Sequence, residues 1–329
     1  MNSPQSEKIA YVDALLSLAR QPVGHWPEAL QQLYHPDVTW HGPHPINALQ
    51  GGLNVMAGFW EPFLTAFPDV ERRDDILIAG AFNDGIWIGA TGHYTATFAH
   101  DWLGIQATGG AVNIRYGEFS RMQAGKVHEV YFILDILDLM RQAGCWPRMV
   151  PASCGLTDRV PGPATRDGVV LAPSAPVEGE RSLDLVMAMI HGLLKDYDGK
   201  TLESMAQQRF WHPNMMWYGP AGIGTSRGLK GFQDVHQRPF LAAFPDRMGG
   251  DHKARIAEGT YVASTGWPSV RATHLGPWQG CAPTGRKIGM RVMDFWRRED
   301  NLLRENWVFI DMIDLLLQMD VDVMAELRG

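Results

Sequence analysis

The sequence predicts an α+β protein of two tandem cone-shaped domains, each with three helices packed on a strongly curved antiparallel sheet that encloses a pocket. Three observations support this fold class: an internal repeat, a Pro-rich segment between the copies, and helical periodicity followed by strand-like runs in each copy. Helices grouped ahead of strands are typical of α+β chains, because α/β chains alternate the two elements. The length of 329 residues also suits two ordinary domains better than one.

The internal repeat is explicit in two motifs. Residues 35–43 read HPDVTWHGP and residues 212–220 read HPNMMWYGP, while PFLTAFPD at residues 62–69 returns as PFLAAFPD at residues 239–246. Towards the end of each copy the alignment shifts by one residue, as a shortened hairpin would cause. The later matches are Glu118 with Asp294, Glu129 with Glu305, Tyr131 with Trp307, Asp135 with Asp311, and Asp138 with Asp314.

The segment between the copies is predicted to be a linker, because it is rich in proline. We therefore assign residues 1–144 to the first domain, residues 145–181 to the linker and residues 182–329 to the second domain. The linker prolines are Pro147, Pro151, Pro161, Pro163, Pro173 and Pro176.

Three helices are predicted to open each copy. Apolar residues at helical spacing mark the first helix, a short second helix precedes the His-Pro pair, and Pro68 or Pro245 ends the third. The predicted helices cover residues 9–19, 27–34 and 59–67 in the first copy, and residues 183–194, 202–210 and 232–244 in the second.

Strands are predicted to fill the rest of each copy. A strand carrying Trp40 or Trp217 follows the His-Pro turn, and later runs of β-branched and aromatic residues are separated by glycines. A strongly bent sheet wrapped over a helix leaves a conical cavity, and such cavities commonly bind small ligands. In the first copy the later runs are residues 76–81, 86–98, 112–122 and 127–134.

A set of motifs in the second copy resembles the SnoaL-like polyketide cyclases of the nuclear-transport-factor-two-like superfamily. The motifs are GPAGIG (219–224), RGLKGF (227–232), PFLAAFPD (239–246), DFWRRED (294–300) and ENWVFIDMIDLLLQ (305–318). The first copy keeps the skeleton, with ALQGG (48–52) in the loop and EVYFILDILDLMRQ (129–142) at the end. The fold follows from this resemblance more directly than the activity, because one scaffold can support many chemistries.

The resemblance implies a cofactor-free and metal-free cyclisation of an ester-bearing polyketide. A carboxylate at the end of the last strand would shuttle the proton of an intramolecular aldol step, and the matching positions are Asp135 and Asp311. Family members pair that carboxylate with a polar strand residue, often His. This sequence instead has Glu118 and Asp294 on the preceding strand, with no His.

The residues around Asp311 independently suit a general base. Asp311 lies in the apolar run WVFIDMI, and Asp135 lies in an equivalent run. Burial there would raise the carboxyl pKa towards neutrality, where the group could abstract a proton next to a carbonyl. An alternative remains open, because either carboxylate, or Asp314, could cap the helix that follows.

Two arginines and two acids are further candidate ligand-binding residues. Arg115 and Arg291 occupy equivalent positions on the penultimate strand, where an inward guanidinium could hold an ester or carboxylate of the ligand. Glu118 and Asp294 have the opposite strand parity, so an arginine and its acid cannot both face inward unless a bulge intervenes. A solvated arginine is the alternative.

Aromatic residues and two polar rings complete the candidate pocket. The chain has 12 tryptophans, which is a heavy load that favours a flat apolar ligand, although core packing explains any single one equally well. His41 and Tyr218 hold equivalent positions, and so do His93 and Trp267; each polar ring could hydrogen-bond a ligand carbonyl or simply be satisfied within a strand. The remaining predicted wall residues are the repeat-related Trp40, Trp217, Tyr131 and Trp307, together with Trp60, Trp87, Trp278 and Trp296.

Composition excludes several classes of partner. A net charge of −7 argues against nucleic acid, and the absence of an apolar run of about 18 residues argues against a membrane partner. The polar amino terminus and three scattered cysteines favour a cytoplasmic location. No phosphate loop or dinucleotide fingerprint occurs, and His41 and His44 are too loosely spaced for zinc, so no cofactor or metal is expected.

Two functions remain open from the sequence. The first is a cofactor-independent cyclase or isomerase that acts on a small apolar, polyketide-like ester by aspartate general acid/base catalysis. The alternative is a non-catalytic protein that binds a small apolar or aromatic ligand. In both cases the two repeats are expected to pair within one chain as a pseudo-dimer, and a homodimer of the whole chain is a further option.

Overall fold

The computed structural model describes residues 3–151 and 159–328. The first domain begins with helix α1 (Pro4–Ala19), which Ser3 caps by accepting a hydrogen bond from the Ser6 N–H at 3.1 Å. A π-helical turn at Met56–Trp60 joins α3 and α4 into one continuous helix. The elements after α1 are α2 (Trp26–Leu33), β1 (Tyr34–His41), β2 (Ala48–Gln50), α3 (Gly52–Val55), α4 (Glu61–Ala66), β3 (Glu71–Phe82), β4 (Gly85–Thr97), β5 (Ala111–Gln123), β6 (Lys126–Leu134) and α5 (Ile136–Gln142).

The second domain repeats this order. Its elements are α6 (Pro176–His191), β7 (Trp211–Tyr218), β8 (Thr225–Arg227), α7 (Gly228–Phe232), α8 (Arg238–Ala243), β9 (Met248–Gly249), β10 (His252–Glu258), β11 (Tyr261–Thr273), β12 (Lys287–Glu299), β13 (Leu302–Ile310) and α9 (Met312–Gln318). The α+β fold class is confirmed, and so are the strands predicted in the first copy, within a few residues. In the described part of the chain, no helix is long and apolar enough to cross a membrane.

Two helical segments differ from the sequence prediction. Helix α6 starts at Pro176, inside the segment expected to be linker, because proline at the first helical position has a backbone already suited to a helix. The short second helix expected at residues 202–210 is instead two 3₁₀ turns, Leu202–Met205 and Gln207–Arg209. Ala206 lies between them with a left-handed φ of 47°, which a continuous helix does not allow.

Each curved sheet is mixed, whereas the sequence predicted an antiparallel one. The strand order is β2-β1-β6-β5-β4-β3 in the first domain and β10-β11-β12-β13-β7-β8 in the second, where β9 also pairs with β11. The first long strand runs parallel to the last in each domain, β1 with β6 and β7 with β13. These two strands can be parallel because helices and the whole meander separate them along the chain.

The two sheets pack against each other through the faces that point away from their own helices. Phe119 of β5 and Phe295 of β12 hold equivalent positions in the repeat, and their rings meet at a centroid distance of 5.5 Å. Gly80 allows close approach, because a Cβ atom there would lie 2.8 Å from Ile256. The other buried residues of this interface include Ile76, Ile78, Tyr131, Tyr218, Trp307 and Phe309.

Reciprocal hydrogen bonds show that the two domains are related by a pseudo-twofold axis. The Ala221 N–H of the second domain donates to Asp135 Oδ2 at 3.0 Å, and the His44 N–H of the first domain donates to Asp311 Oδ2 at 2.9 Å. Ala221 and His44 are themselves equivalent in the repeat. Each aspartate also caps its own following helix, α5 or α9, through its other oxygen.

A buried ion pair adds a further link between the domains. Lys8 on α1 is 1% exposed, and its Nζ lies 2.5 Å from Glu258 Oε1 on β10. The second carboxylate oxygen of Glu258 accepts the Ala79 N–H of the first-domain sheet at 2.9 Å. Among the described residues, the acidic partner of Lys8 therefore comes from the opposite domain.

We predict that Lys8→Met lowers the free energy of unfolding by about 3–5 kcal/mol, because it leaves the Glu258 charge buried without its cation. The double variant Lys8→Met/Glu258→Gln should recover part of this loss, since the amide oxygen can still accept the Ala79 N–H. Urea unfolding followed by circular dichroism measures both. A single variant as stable as the wild type would contradict the prediction.

We also predict that Asp135→Ala and Asp311→Ala each lower the free energy of unfolding by about 1–3 kcal/mol, because each removes a helix cap and the acceptor for an interdomain N–H. The same urea titration measures the loss. Asp37→Ala is the matched control, because Asp37 is exposed on β1. Equal stability of all three variants would show that the two buried carboxyl groups do not hold the domains together.

Candidate functional site

A cavity of about 220 Å³ lies inside the second domain, between its helices and the concave face of its sheet. The wall is mainly apolar and aromatic, with polar side chains at its centre. Residues from both layers contribute, among them Trp217, Phe232, His236, Gln237, Val270, Met290, Val292, Asp294, Trp296, Asn306 and Val308. A secluded apolar hollow with a few convergent polar groups is the usual form of a small-molecule site.

Four substitutions between the copies explain why this interior is hollow. The matched strand registers and the aligned third helices identify the counterparts. The first domain has Trp60, Tyr94, Tyr116 and Phe132 where the second has Gln237, Val270, Val292 and Val308. Large rings therefore fill the space in the first domain that remains open in the second. The centroids of Tyr94 and Tyr116, for example, lie only 4.9 Å apart.

The acid inside the first domain is fully engaged. Glu118 forms an ion pair with Arg72 at 2.8 Å and accepts hydrogen bonds from the Tyr11 and Ser120 hydroxyls at 2.5 and 2.6 Å. Arg72 also pairs with Asp74 at 3.0 Å. These contacts hold Glu118 in a charge network, and no counterpart of this network surrounds the acid of the second domain among the described residues.

Asp294 is that second-domain acid, and it lies on the concave face of β12. It is opposite Ser264 on β11 and Val308 on β13. The Asn306 amide lies 3.4 Å from Asp294 Oδ1. Burial raises the pKa of Asp294 to about 7, against the opposing effects of the Asn306 hydrogen bond and the Arg255 charge. The group can therefore change protonation state near neutral pH.

Several other polar groups in the cavity wall have no internal partner. Within the described ranges, neither amide atom of Gln237 is hydrogen-bonded, nor are Trp296 Nε1, His236 Nδ1 and His252 Nδ1. Gln237 is 3% and Trp296 4% exposed. Buried donors and acceptors are normally satisfied, so this concentration at one cavity suits a ligand that carries oxygen atoms.

The histidines of this cavity are held neutral by burial. Burial lowers the pKa of His236 to about 4, and it also lowers the pKa of His252. The His236 ring stacks on Trp217 at a centroid distance of 4.5 Å and an interplanar angle of 17°. The stack forms one flat side of the cavity, against which a planar ligand can lie.

Asp135 and Asp311, the acids that the resemblance marked as catalytic, lie elsewhere. Together with His44 they line a void of about 10 Å³ at the domain interface, which is room for one water molecule at most. Burial raises the pKa of each to about 6, but both oxygens of each carboxyl group are already used by the helix cap and the interdomain bond. Asp135 and Asp311 therefore cap the helices that follow them, which was the alternative to a catalytic role.

The arginines also face the opposite domain. Arg115 donates to the carbonyls of Gly219 and Tyr218 of the second domain, both at 2.9 Å. Arg291 donates to Asn47 Oδ1 of the first domain at 3.4 Å, and to Asp311 Oδ2 of its own domain at 2.9 Å. Strand parity is the reason, because Arg115 and Arg291 alternate with the inward-facing Glu118 and Asp294.

Most of the remaining predicted wall residues lie outside the cavity for the same reason. His41 stacks on Tyr131 at 4.5 Å with Trp267 close by, Tyr218 stacks on Trp307 at 5.3 Å, and His93 pairs with Asp75 at 3.1 Å. Trp40 is inside the first domain, where it stacks on Phe59. Of the residues proposed from sequence to bind a ligand, the structure brings Trp217, Asp294 and Trp296 to the cavity.

Sequence reasoning missed His236, Gln237, His252 and Asn306. One signal could have found the first two, because the aligned third helices place Phe59 and Trp60 against His236 and Gln237. When a polar pair replaces two large aromatic rings on the inward face of a helix, the interior of that domain becomes less filled and more polar. In the described ranges, no group of three or more His, Cys, Asp or Glu side chains is arranged to hold a metal ion.

Comparison with solved structures finds similar single-copy proteins. AclR, a putative hydroxylase from Streptomyces galilaeus, is 25% identical over 43% of this chain and 81% of its own, with a TM-score of 0.34. IdmH, a putative polyketide cyclase from Streptomyces antibioticus, is 25% identical over 41% of this chain and 98% of its own, with a TM-score of 0.32. A putative SnoaL-like polyketide cyclase from Jannaschia sp. CCS1 is 19% identical over 42% of this chain and 94% of its own, with a TM-score of 0.35.

Comparison with protein families gives a match in both halves. The family described as SnoaL-like polyketide cyclase matches residues 16–143 and again residues 200–319. No curated protein matches the chain. The two matched segments span most of the sequence and coincide with the two curved-sheet units, so the chain belongs to the SnoaL-like polyketide cyclase family and carries two tandem copies of its domain.

Proposed function

We propose that the second domain is a cofactor-independent enzyme of the cyclase or isomerase type, with Asp294 as its general acid/base. The substrate would be a small, apolar, polyketide-like carbonyl compound. The observation that carries this proposal is the position of Asp294, a carboxyl group of pKa about 7 in the wall of an apolar cavity. Catalytic bases that act near neutrality are commonly tuned by burial in this way.

Substrate binding would rest on the flat and apolar parts of the wall. A planar carbon skeleton can lie against the Trp217–His236 stack, while Met290, Val292 and Val308 enclose its edges. Closing such a surface around the ligand excludes water, which strengthens every electrostatic interaction inside the cavity.

The first chemical step would be removal of a proton from the carbon next to a substrate carbonyl. Asp294 as carboxylate takes the proton and becomes the neutral acid, while the electron pair of the C–H bond moves to give an enolate. Asn306 is placed to hold the carboxyl group in position through its contact with Oδ1. A positioned base contributes about 10²–10⁴-fold to such a step.

The enolate oxygen needs hydrogen-bond donors. The Trp296 indole N–H and the Gln237 amide N–H are buried, line the same cavity and have no partner in the described protein. Preorganised donors of this kind stabilise developing negative charge without reorganisation of solvent.

The last step would return the proton. In a cyclisation, the enolate carbon attacks a second carbonyl of the same molecule, a carbon–carbon bond forms, and the resulting alkoxide takes the proton held by Asp294. In an isomerisation, the proton returns to another carbon. Either sequence restores the carboxylate and leaves the overall composition of the substrate unchanged.

We predict that Asp294→Asn abolishes proton abstraction while leaving ligand affinity nearly intact, because the amide keeps the shape of the carboxyl group but cannot accept the proton. The assay is deuterium incorporation into 2-tetralone, a two-ring ketone, followed by proton NMR in D₂O. Affinity for the same ketone is measured by calorimetry. We expect exchange to fall by at least about 10²-fold, to the buffer rate.

The matched control is Asp311→Asn, which makes the same chemical change at another buried aspartate of the second domain. It should retain the wild-type exchange rate, because Asp311 lies at the domain interface. Loss of exchange in Asp311→Asn alone would contradict the assignment of the base. Binding of the ketone without any wild-type exchange would instead favour a non-catalytic binding protein.

We predict that the exchange rate rises with pH and levels off above about pH 7, because only the ionised form of Asp294 accepts a proton. Well below that pH, the rate should change about tenfold per pH unit. Because the pKa of Asp294 is raised in the folded state, the folded protein binds this proton more tightly than the unfolded chain. Titration of Asp294 therefore stabilises the fold as the pH falls from about 7 towards 4, and the fall in exchange rate is not caused by unfolding at this site.

His236 requires a control in the same pH series. Because the pKa of His236 is lowered in the folded state, the unfolded chain binds the proton more readily. Titration of His236 therefore destabilises the folded protein as the pH falls below 6.5, the ordinary pKa of histidine. A melting curve at each pH separates this effect from the titration of Asp294. A flat rate between pH 5 and 8 with intact folding would rule out an acid of this pKa as the base.

A further inference from the structure

We infer that the first domain has a second, non-catalytic binding site for an uncharged planar aromatic compound that carries an oxygen atom. The site is a groove of about 520 Å³ at the open end of that domain, which we call the first-domain groove. It is separate from the function proposed for the second domain. Its walls and floor include Leu15, Leu18, Val23, Trp26, Trp60 and Tyr94.

Unpartnered indole groups point to a ligand in this groove. Buried indole N–H groups in this protein mostly have acceptors, as Trp60, Trp211 and Trp307 do at 3.2, 3.0 and 2.9 Å. Among the described residues, the two buried indole nitrogens without a partner belong to Trp26 and Trp296. Each lines a ligand-sized space, Trp26 the first-domain groove and Trp296 the second-domain cavity.

A second polar atom supports the same conclusion. The Tyr94 hydroxyl also has no partner in the described ranges, although Tyr94 is 0% exposed as a residue and Trp26 only 4%. A buried donor left without an acceptor destabilises a fold, so a pair of them at one groove is unusual unless a ligand supplies the acceptor. A hydroxyl or carbonyl oxygen satisfies both an indole N–H and a phenol O–H.

Charge at the rim indicates that the ligand is neutral. Arg72 is already paired with Asp74 and Glu118, Arg73 with Glu71, and Asp69 accepts the N–H and hydroxyl of Thr97, both at 2.7 Å. A charged ligand would have to compete with these existing pairs. The aromatic floor instead suits a flat apolar ring.

The aromatic floor of the groove separates it from the interior of the first domain. Trp60 and Tyr94 stand where the second domain has Gln237 and Val270, and their ring centroids lie 6.2 Å apart. A ligand above them does not reach Glu118, whose oxygens are already bound. The first-domain groove therefore binds without performing proton transfer.

The test is a calorimetric titration of the full chain with 2-naphthol, which is neutral at pH 7 and carries one hydroxyl. We expect a stoichiometry of two for the wild type. The variant Val270→Tyr/Val308→Phe places the first domain's own residues in the second-domain cavity, so its stoichiometry should fall to one. Trp26→Phe in that background should weaken the remaining site about fivefold to tenfold, as loss of one hydrogen bond does.

Absence of binding in Val270→Tyr/Val308→Phe, where only the first-domain groove is left open, would overturn the inference. An unchanged affinity after adding Trp26→Phe to that variant would do the same. A crystal of the wild-type protein with 6-bromo-2-naphthol gives a readout that needs no variant. We expect an anomalous bromine peak in the first-domain groove, and its absence would also overturn the inference. Failure of Asp294 to catalyse exchange would leave these results unchanged, so the two proposals fail independently.

Discussion

Face-to-face packing of the two sheets is the constraint on which the rest of the structure depends. Because side chains alternate along a strand, docking one face against the other domain commits that face to apolar contacts such as Phe119 with Phe295. The opposite face must then line the interior of its own cone. Charged groups on the docked face have partners there. Asp135 and Asp311 accept N–H groups from the opposite domain, and Arg297 pairs with Glu305 within the second domain.

The duplication allowed the two interiors to diverge while the interface was kept. In the first domain, aromatic rings fill the cone and Glu118 is neutralised by Arg72, so the interior acts as a packed core. In the second, smaller residues leave a hollow, and Asp294 faces it without an ion pair to any described residue. The same scaffold thus presents one packed interior and one hollow interior, because filling a cavity and keeping it open require opposite side-chain volumes.

The two classes of buried acid illustrate why a raised pKa alone does not identify a catalytic group. Burial raises the pKa of Asp311 to about 6 and that of Asp294 to about 7. The oxygens of Asp311 accept the helix-cap N–H and an N–H from the other domain, and they pair with Arg291. Asp294 instead faces the cavity. Access to a cavity, rather than desolvation, separates the two groups, since both are desolvated.

The sequence by itself determined the duplication, the α+β order, most strand positions and the strand parity that separates Arg115 and Arg291 from Glu118 and Asp294. These features are local or periodic, so they are readable along one chain. Only the tertiary structure decided which face of each sheet lies inside, because both faces are apolar and the choice depends on docking between domains. It alone brought His236, His252, Trp296 and Asn306 around Asp294, since these residues come from separate elements that meet only when the cone closes.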